Sequence, residues 1–285
     1  MKKILILGVS GMLGSTIFKY FSMKPELEVF GTARSEKIKK YFPCNLRNKI
    51  IFDVDVENAA KLEALFFRIK PEIVINCIGV IKQLDISNNP LVAIPINALL
   101  PHRINKICNI MGSRLIHFST DCIFSGNKGH YVESDFPDAI DLYGRSKLLG
   151  EVNSNNAITL RTSIVGHGID KKIGLIDWFL SQKTNVLGYR QAIFSGLPAV
   201  EIARIIFNFV MPMPNLHGVY HLASLPISKY ELLKLVAIEY DKKIKLIDDE
   251  TVKINRVLNA KKFNDLTGYI PPSWKDLVKE MHDFR

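Results

Sequence analysis

The sequence is poor in cysteine and lacks any long apolar run. Only four of its 285 residues are cysteines, they form no C-x-x-C pair, and none stands with histidine at the spacing of a zinc site. We therefore expect free thiols, no bound metal and a reducing, cytoplasmic location. No stretch approaches the roughly 20 apolar residues of a membrane-spanning helix, and the run after Lys2 and Lys3 breaks into glycines too early for a signal sequence. The sequence thus predicts no membrane partner.

Acidic residues are also in deficit, because 28 Asp and Glu stand against 38 Lys and Arg, a formal charge of +10. The basic residues are dispersed, without an arginine-rich arm or a basic stripe interleaved with aromatic residues. A nucleic-acid partner is therefore not predicted. A solvated lysine-rich surface or a small phosphorylated ligand explains the excess equally well.

The first 163 residues alternate strand-like and helix-like patterns. Continuous apolar runs predict six buried parallel strands, at Lys3–Leu7, Leu27–Thr32, Ile50–Val54, Glu72–Ile78, Arg114–Ser119 and Ala157–Arg161. Apolar residues at spacings of three and four predict helices over Glu57–Lys70 and Asn89–Met111. This alternation predicts an α/β fold with a doubly wound parallel sheet of the Rossmann type.

After Ser163 the pattern loses this regular alternation. Further elements are predicted, as helices over Gly174–Gln182, Glu201–Val210, Ser228–Tyr240 and Ser273–Phe284 and as strands within Asn185–Phe194 and Val219–Ala223. We expect residues 1–163, with an addition from 191–223, to form the sheet domain. Residues 164–190 and 224–285 are expected to form a small, mostly helical C-terminal lobe.

A glycine-rich turn follows the first strand. Gly8, Gly11 and Gly14 form G-x-x-G-x-x-G at the start of a helix. Small residues let the backbone approach a pyrophosphate, which the free N–H groups at a helix N-terminus bind. We therefore expect a dinucleotide to be held by Gly8, Ser10, Gly11, Met12, Leu13 and Gly14. A glycine turn without a ligand is the alternative interpretation.

The ends of the next strands supply candidates for the rest of the dinucleotide site. Arg34 ends the second strand, where an acidic residue would bind a ribose 2′-hydroxyl and an arginine instead binds a 2′-phosphate. The sequence therefore predicts NADPH, with NADH as the alternative cofactor, although an ordinary surface arginine would look the same. Two further groups end the third and fourth strands, beside the expected adenine and nicotinamide ribose: Asp53 with Val54, and Cys77, Ile78 and Gly79.

A tyrosine and a lysine one helical turn apart predict reductase chemistry. Tyr143 and Lys147 share a helix face at i and i+4. An ammonium lowers the pKa of a nearby phenol, which can then give its proton to a carbonyl oxygen. Thr120 ends the fifth strand, where its hydroxyl would orient that carbonyl, and Asp121 would accept hydrogen bonds from the substrate. A solvent-facing helix pair and a simple turn cluster are the alternatives.

Together these motifs resemble one family. The glycine turn, S-T-D-x-x-F-x-G over 119–126, Y-G-x-x-K over 143–147 and R-T-S over 161–163 are similar to those of the dTDP-4-dehydrorhamnose reductase family of extended short-chain dehydrogenases/reductases. The resemblance runs nearly end to end. It implies that NADPH reduces the 4-keto group of a nucleotide-linked 4-keto-6-deoxyhexose, such as dTDP-4-dehydro-L-rhamnose, for surface polysaccharide synthesis.

The resemblance also implies roles for particular residues. Tyr143 would donate the proton and Lys147 would tune it, both would contact the cofactor, and Asn97 would support the lysine in a proton relay. Thr120 and Asp121 would contact the sugar. Residues 1–163 would then hold NADP, and the C-terminal lobe would hold the substrate.

Two departures from the family pattern leave the substrate open. Ile164, a predicted substrate contact, stands where an aromatic residue is frequent, and Cys122 stands where a tyrosine is common. A UDP-linked 2-acetamido-4-keto-6-deoxyhexose is therefore an alternative substrate. A non-catalytic regulatory or binding subunit on the same fold is a second alternative, and a homodimer is compatible with either. An epimerase or dehydratase is disfavoured by Arg34.

Overall fold

One parallel sheet lies at the centre of the computed structural model, which describes residues 1–170 and 174–285. Within these ranges the strands are, in chain order, β1 (Lys2–Leu7), β2 (Leu27–Thr32), β3 (Ile50–Ile51), β4 (Ile73–Asn76), β5 (Arg114–Thr120), β6 (Ala157–Thr162), β7 (Ile164–Val165), β8 (Val186–Tyr189), β9 (Ala192–Phe194), β10 (Leu197–Pro198), β11 (Gly218–His221), β12 (Ile227–Ser228), β13 (Leu246–Asp249) and β14 (Ile254–Asn255). Seven of them form the main sheet in the order β11-β6-β5-β4-β1-β2-β3. All neighbouring pairs are parallel, which confirms the predicted doubly wound α/β fold.

Helices cover both faces of this sheet. In chain order they are α1 (Met12–Ser22), α2 (Cys44–Arg47), α3 (Ala59–Ile69), α4 (Pro90–Ala93), α5 (Leu100–Met111), α6 (Leu142–Leu149), α7 (Leu175–Ser181), α8 (Ala199–Ile205), α9 (Lys229–Glu239), α10 (Lys261–Thr267) and α11 (Trp274–Asp283). Apolar residues of α1, α8 and α11 pack in the larger core on one face, and those of α3 and α5 pack in a second core on the other.

The apolar run of β1 is explained by these two cores. Ile4 and Ile6 point into the larger core, and Leu5 and Leu7 point into the second. Because both faces of the strand are covered, alternation with polar residues would bury unpaired polar groups. The strand is therefore continuously apolar, and Gly8 follows it directly.

After β6, the described part of the chain returns to the main sheet at β11. β11 lies within 191–223 and pairs with β6 at the sheet edge, from Gly218 beside Ile158 to His221 beside Arg161. The other strands after β6 form small sheets, β10-β7, β12-β9-β14 and β13-β8. Strands β7, β8, β12, β13 and β14 and helices α7, α9, α10 and α11 lie within residues 164–190 and 224–285, whereas β9 and β10 lie within 191–223.

Several predicted elements differ from those observed, and two of these differences concern the site. β3 ends at Ile51 rather than Val54, because Asp53 has a left-handed φ of 58°, which a strand does not accommodate. The predicted helix Asn89–Met111 is not uniform, since α4 and α5 are joined by a π-helical segment at Ile94–Leu99. Both differences fall beside the predicted site residues.

Candidate active site

The glycine-rich turn between β1 and α1 has one open side. Gly8 has a φ of +89°, which favours glycine, and a side chain at Gly14 would overlap the Gly8 carbonyl. A side-chain carbon at the exposed Gly11 would meet only that carbonyl oxygen, at an ordinary 3.7 Å. Glycine at 8 and 14 is therefore required by the fold, whereas glycine at 11 leaves space for a ligand.

The start of α1 is arranged to receive an anion. Gly11 is its N-cap and provides no capping side chain, and the first helical hydrogen bond is from the Ser15 amide to the Gly11 carbonyl, at 2.9 Å. The preceding amides of the first turn have no helical acceptor. They can bind a pyrophosphate, with the positive end of the helix dipole behind them.

Cys77 and Ile78, at the end of β4, pack directly against this turn. A side-chain carbon at Gly8 would lie 2.7 Å from the Ile78 side chain, and one at Gly14 would lie 3.2 Å from Cys77 Cβ. Burial raises the pKa of the Cys77 thiol, so that it stays neutral. The structure thus brings the predicted residues of β1, α1 and β4 together.

The other turn residues differ in what they can offer. Leu13 is buried in the core and can contribute only its backbone, whereas Ser10 is exposed. Met12 turns toward the chain after β6, since a side-chain carbon at Gly166 would lie 3.3 Å from its sulfur and one at Gly174 2.8 Å from its methyl group. Met12 therefore connects the turn to the start of the C-terminal half.

Arg34 and Asp53 lie on neighbouring segments at the end of β2 and β3. The Ala33 amide donates to the Ile51 carbonyl at 3.0 Å, and the Val54 amide donates to the Ala33 carbonyl at 3.2 Å. Both Arg34 and Asp53 are exposed. The Arg34 guanidinium, the glycine turn and the uncapped start of α1 together fit a phosphorylated dinucleotide.

Tyr143 and Thr120 meet at the end of β5. α6 begins after Asp141, whose carboxylate accepts from the Gly144 amide at 2.7 Å, and it carries both Tyr143 and Lys147. The Thr120 hydroxyl is close enough to the Tyr143 phenol to lower the pKa of that phenol. The same hydroxyl accepts from the Cys122 amide at 3.1 Å and lies 3.2 Å from an Asp121 carboxylate oxygen. The predicted catalytic hydroxyls therefore face one space.

The expected lowering of the Tyr143 pKa by Lys147 is wrong in this structure. Burial raises the pKa of the phenol, nearby acidic groups raise it further, and the Thr120 hydroxyl only partly opposes them. Burial is the largest cause, and the Lys147 ammonium itself donates to the Phe118 carbonyl at 2.6 Å. Tyr143 consequently stays protonated, which is the form that a proton donor requires.

Lys147 is buried beside a glycine. Burial lowers the pKa of its ammonium to about 8, and Glu151 opposes this change. A side-chain carbon at the exposed Gly79 would lie 4.0 Å from the ammonium nitrogen and 3.4 Å from the Asn97 side-chain oxygen. The absence of a side chain at Gly79 thus leaves an approach to Lys147 for a ribose hydroxyl.

Asn97 joins this approach to α6. Its side-chain oxygen accepts from the Val80 amide at 2.8 Å, and its amide group donates to the Val80 carbonyl at 3.1 Å and to the Ser146 hydroxyl at 3.3 Å. Asn97 lies in the π-helical segment, a feature that is frequent at functional sites. It therefore positions the neighbours of Lys147, while its expected part in a proton relay stays a prediction.

A buried ion pair behind Thr120 was missed by the sequence analysis. Glu151 and Arg161 have side chains only 8% and 7% exposed and pair through two hydrogen bonds of 2.8 Å. The Ser119 hydroxyl also donates to Glu151 at 2.6 Å, and the Arg161 guanidinium reaches His221 at 3.3 Å. The signal was an arginine inside an otherwise apolar strand, which requires a buried acidic partner.

Asp121 and two basic residues of the second half complete the substrate side. Asp121 is buried, which raises the pKa of its carboxyl against the opposing effects of Arg256 and Lys229. Neither basic residue was singled out by the sequence analysis as a site residue, because each is far from Asp121 in sequence. Ile164 is half-buried in β7, directly beyond the end of β6, and its contact with substrate stays a prediction.

Some kinds of site are absent from the described residues. Across residues 1–170 and 174–285, no group of three or more His, Cys, Asp or Glu side chains is placed to hold a metal ion. In the same ranges no helix combines the length and apolarity needed to cross a bilayer.

The sheet, the open glycine turn and the threonine–tyrosine–lysine cluster define a dinucleotide-binding α/β protein with a reductase-type site. Residues 1–284 match the sequence family described as RmlD substrate binding domain, and the chain belongs to this family. The family resemblance found in the sequence motifs is thereby confirmed.

Solved structures show the same fold. The dTDP-4-dehydrorhamnose reductase of Bacillus anthracis, solved in complex with NADP, superposes with a TM-score of 0.80 at 20% identity, and the match covers 100% of both chains. A dTDP-4-dehydrorhamnose reductase from Clostridium acetobutylicum gives a TM-score of 0.79 at 22% identity, over 99% of this chain and 98% of that one.

Similar sequences carry two kinds of function. A probable low-salt glycan biosynthesis reductase of Haloferax volcanii is 32% identical over 56% of this chain and 52% of its own length. The methionine adenosyltransferase 2 subunit beta of Xenopus laevis is 23% identical over 81% of this chain and 70% of its own length.

Proposed function

We propose that the protein is an NADPH-dependent reductase of the 4-keto group of a nucleotide-linked 4-keto-6-deoxyhexose. The observation that carries this proposal is the contact between the Thr120 hydroxyl and the Tyr143 phenol, with Lys147 one helical turn away. Such a cluster suits the protonation of a carbonyl oxygen that gains negative charge. The family membership supports the same class of reaction.

Each residue of the cluster has a part in this reaction. NADPH would supply the hydride to the keto carbon. Thr120 would hold the keto oxygen by a hydrogen bond, and Tyr143 would give it a proton. The Lys147 ammonium would hold the nicotinamide ribose, to which Gly79 leaves access.

The proposal also divides the chain between the two ligands. Residues 1–163 with 191–223 would bind NADP, and residues 164–190 and 224–285 would bind the nucleotide sugar. We place the reaction in the cytoplasm, where the buried Cys108 thiol would stay reduced.

The direct test is turnover of a panel of nucleotide-linked 4-keto sugars. The dTDP-linked 4-keto-6-deoxyhexose and the UDP-linked 2-acetamido compound would each be mixed with NADPH, and loss of reduced cofactor and product structure would be followed. We expect Tyr143→Phe to lower kcat by on the order of a hundredfold, because the proton donor is lost. NADPH affinity should fall far less than kcat in this variant, and turnover within a fewfold of wild type would exclude Tyr143 as donor.

A non-catalytic subunit is the second candidate, favoured by the similarity to methionine adenosyltransferase 2 subunit beta. The intact cluster of Thr120, Tyr143 and Lys147 supports the reductase instead. No turnover of any 4-keto sugar, combined with tight NADPH binding, would favour the binding subunit.

A further inference from the structure

The small sheet β12-β9-β14 places two basic residues beside the active-site loop. The loop after β5 contains Gly126, whose carbonyl accepts from the Asn255 amide of β14 at 2.8 Å. A side-chain carbon at Gly126 would collide with Ile254, so the strand and the loop are in tight contact. Lys229 directly follows β12 and Arg256 directly follows β14, and the charge of each acts on Asp121 in this loop.

Arg256 is fixed by the loop itself. Its guanidinium donates to the Phe124 carbonyl at 2.9 Å and to the Ser125 carbonyl at 3.3 Å. The nearby Asp138 carboxylate is already bonded by the Ser125 amide and hydroxyl, at 2.7 Å and 2.6 Å. Arg256 thus adds positive charge to the loop, and among the described residues no carboxylate forms an ion pair with it.

Lys229 has no polar partner of its own. Its ammonium lies 3.6 Å from the centre of the Phe194 ring, and burial lowers the pKa of the group. Among the residues that the structure describes, no hydrogen-bond acceptor and no carboxylate lies within bonding distance of it. The charged and titratable groups that act on it are Asp121, Cys122 and Arg256.

The position of Lys229 is unfavourable for a structural lysine. It is the first residue of α9, directly after the Ser228 N-cap, where the helix dipole disfavours a cation. An ammonium that is partly withdrawn from water and has no hydrogen-bond acceptor also carries a desolvation cost. Features that break local rules in this way are expected at binding sites, where a ligand supplies the missing partner.

We propose that Lys229, with Arg256 beside it, binds the phosphate groups of a nucleoside diphosphate. This inference deepens the proposed function, on which it rests, because it identifies the charged part of the substrate that this side of the site recognises. Asp121 interacts electrostatically with both cations and is also next to the Thr120 hydroxyl. The sugar would therefore occupy the space between the bound phosphates and the catalytic hydroxyls. A neutral free sugar would leave the Lys229 ammonium unpaired.

The test measures binding without turnover. UDP and dTDP, which have no keto group, would be titrated by calorimetry into wild type, Lys229→Met and Lys229→Arg, each saturated with NADPH. Lys234→Met is the matched control, since Lys234 is an exposed lysine on the same helix. We expect Lys229→Met to weaken binding of the better nucleotide about tenfold or more, as is typical for loss of a charge-assisted hydrogen bond.

The remaining variants define the outcome. Lys229→Arg should keep most of the affinity, and Lys234→Met should bind like wild type. An unchanged affinity in Lys229→Met, or no binding of UDP or dTDP by wild type, would overturn the inference. Nucleotide binding that depends on Lys229 without reduction of any keto sugar would instead refute the proposed function and leave this subsite standing.

Discussion

At the scale of single residues, we propose that Arg34 decides the choice of cofactor. It is exposed at the end of β2, next to the segment of Asp53. We expect Arg34→Ala to weaken NADPH binding about tenfold and to leave NADH binding nearly unchanged, because only NADPH has a 2′-phosphate for the guanidinium to bind. Both dissociation constants would be measured by nicotinamide fluorescence.

Arg68→Ala provides the control for this change in charge. Arg68 is an exposed arginine in the last turn of α3, so that its replacement removes the same charge elsewhere. It should leave both affinities unchanged. Equal loss of NADPH and NADH affinity in Arg34→Ala would show that this arginine does not bind the 2′-phosphate.

Lys147 gives the reaction a pH dependence. Its pKa is lowered to about 8 by burial, so the ammonium is present below that pH and is lost above it. We expect kcat/KM to fall by about tenfold per pH unit above this value if the charged form is required. In Glu151→Gln the fall should begin at lower pH, because the carboxylate that raises the Lys147 pKa is gone and Arg161 is left unpaired.

Glu133→Gln is the control for the pH profile. The Glu133 carboxylate accepts from the His221 amide at 2.8 Å and is not among the groups that act on Lys147. Its replacement should leave the alkaline limb in place. Identical pH profiles of kcat/KM for Glu151→Gln and wild type would mean that the alkaline fall reflects the titration of a group other than Lys147.

Single-residue patterns predicted the catalytic cluster but not its surroundings. Tyr143 and Lys147 were predictable because both lie on one short helix and Thr120 ends a recognisable strand. Lys229 was not, because its proximity to Asp121 depends on the small sheet β12-β9-β14, whose strand β14 packs on the loop at Gly126. The misjudged pKa of Tyr143 has a similar origin, since burial and the direction of an ammonium are properties of the packed structure.

At the scale of elements, we expect two glycines of the turn before α1 to differ. Gly14 should be needed for stability and Gly11 for NADPH binding. In the apo protein the difference should already be visible. Gly11→Ala should leave the melting temperature without cofactor little changed, because the added methyl group has only one contact, at 3.7 Å. It should weaken NADPH binding by about tenfold, because the methyl group occupies the side of the turn that a pyrophosphate approaches.

Gly14→Ala should show the opposite behaviour. A methyl group there overlaps the Gly8 carbonyl, so the turn must distort and the melting temperature should fall even without cofactor. Differential scanning fluorimetry with and without NADPH distinguishes the two effects. A stable Gly14→Ala protein with normal NADPH binding would contradict the geometry of this turn.

The long helical region before β5 shows what periodicity can and cannot predict. Apolar spacing correctly predicted helix over most of 89–111. It did not predict the π-helical segment, because one wider turn barely alters the pattern of buried residues on either side. The shortened β3 was unpredictable for a related reason, since φ at Asp53 is fixed by contacts with β2.

At the scale of the whole molecule, the Glu151–Arg161 pair joins elements from several parts of the chain. It links the end of α6 to β5 and β6, and through His221 to β11. We expect Arg161→Met to lower the free energy of unfolding by about 3–5 kcal/mol, because Glu151 is left charged and buried. Urea denaturation followed by circular dichroism would measure it.

Two further variants test this interpretation of the ion pair. The double variant Glu151→Met with Arg161→Met should recover much of the loss, since no charge is then left buried. Lys261→Met, which breaks the exposed pair with Asp265, should change stability little. A single Arg161→Met variant as stable as wild type would show that the pair makes no net contribution.

The overall architecture was predictable because it repeats one strong signal. Six apolar runs separated by amphipathic helices allow few arrangements other than a doubly wound sheet. The small sheets of the second half were not predicted as such, because strands of two to four residues, such as β7 and β12, are too short to show periodicity.

The pairing of β11 with β6 has a consequence for synthesis on the ribosome. β6 is complete at Thr162, but its outer neighbour starts only at Gly218, more than fifty residues later. During that interval a nascent chain would present the open edge of β6, where another polypeptide could add a strand. Chaperone capture should therefore peak while residues between Thr162 and Gly218 emerge, and end once His221 has been translated and released from the exit tunnel.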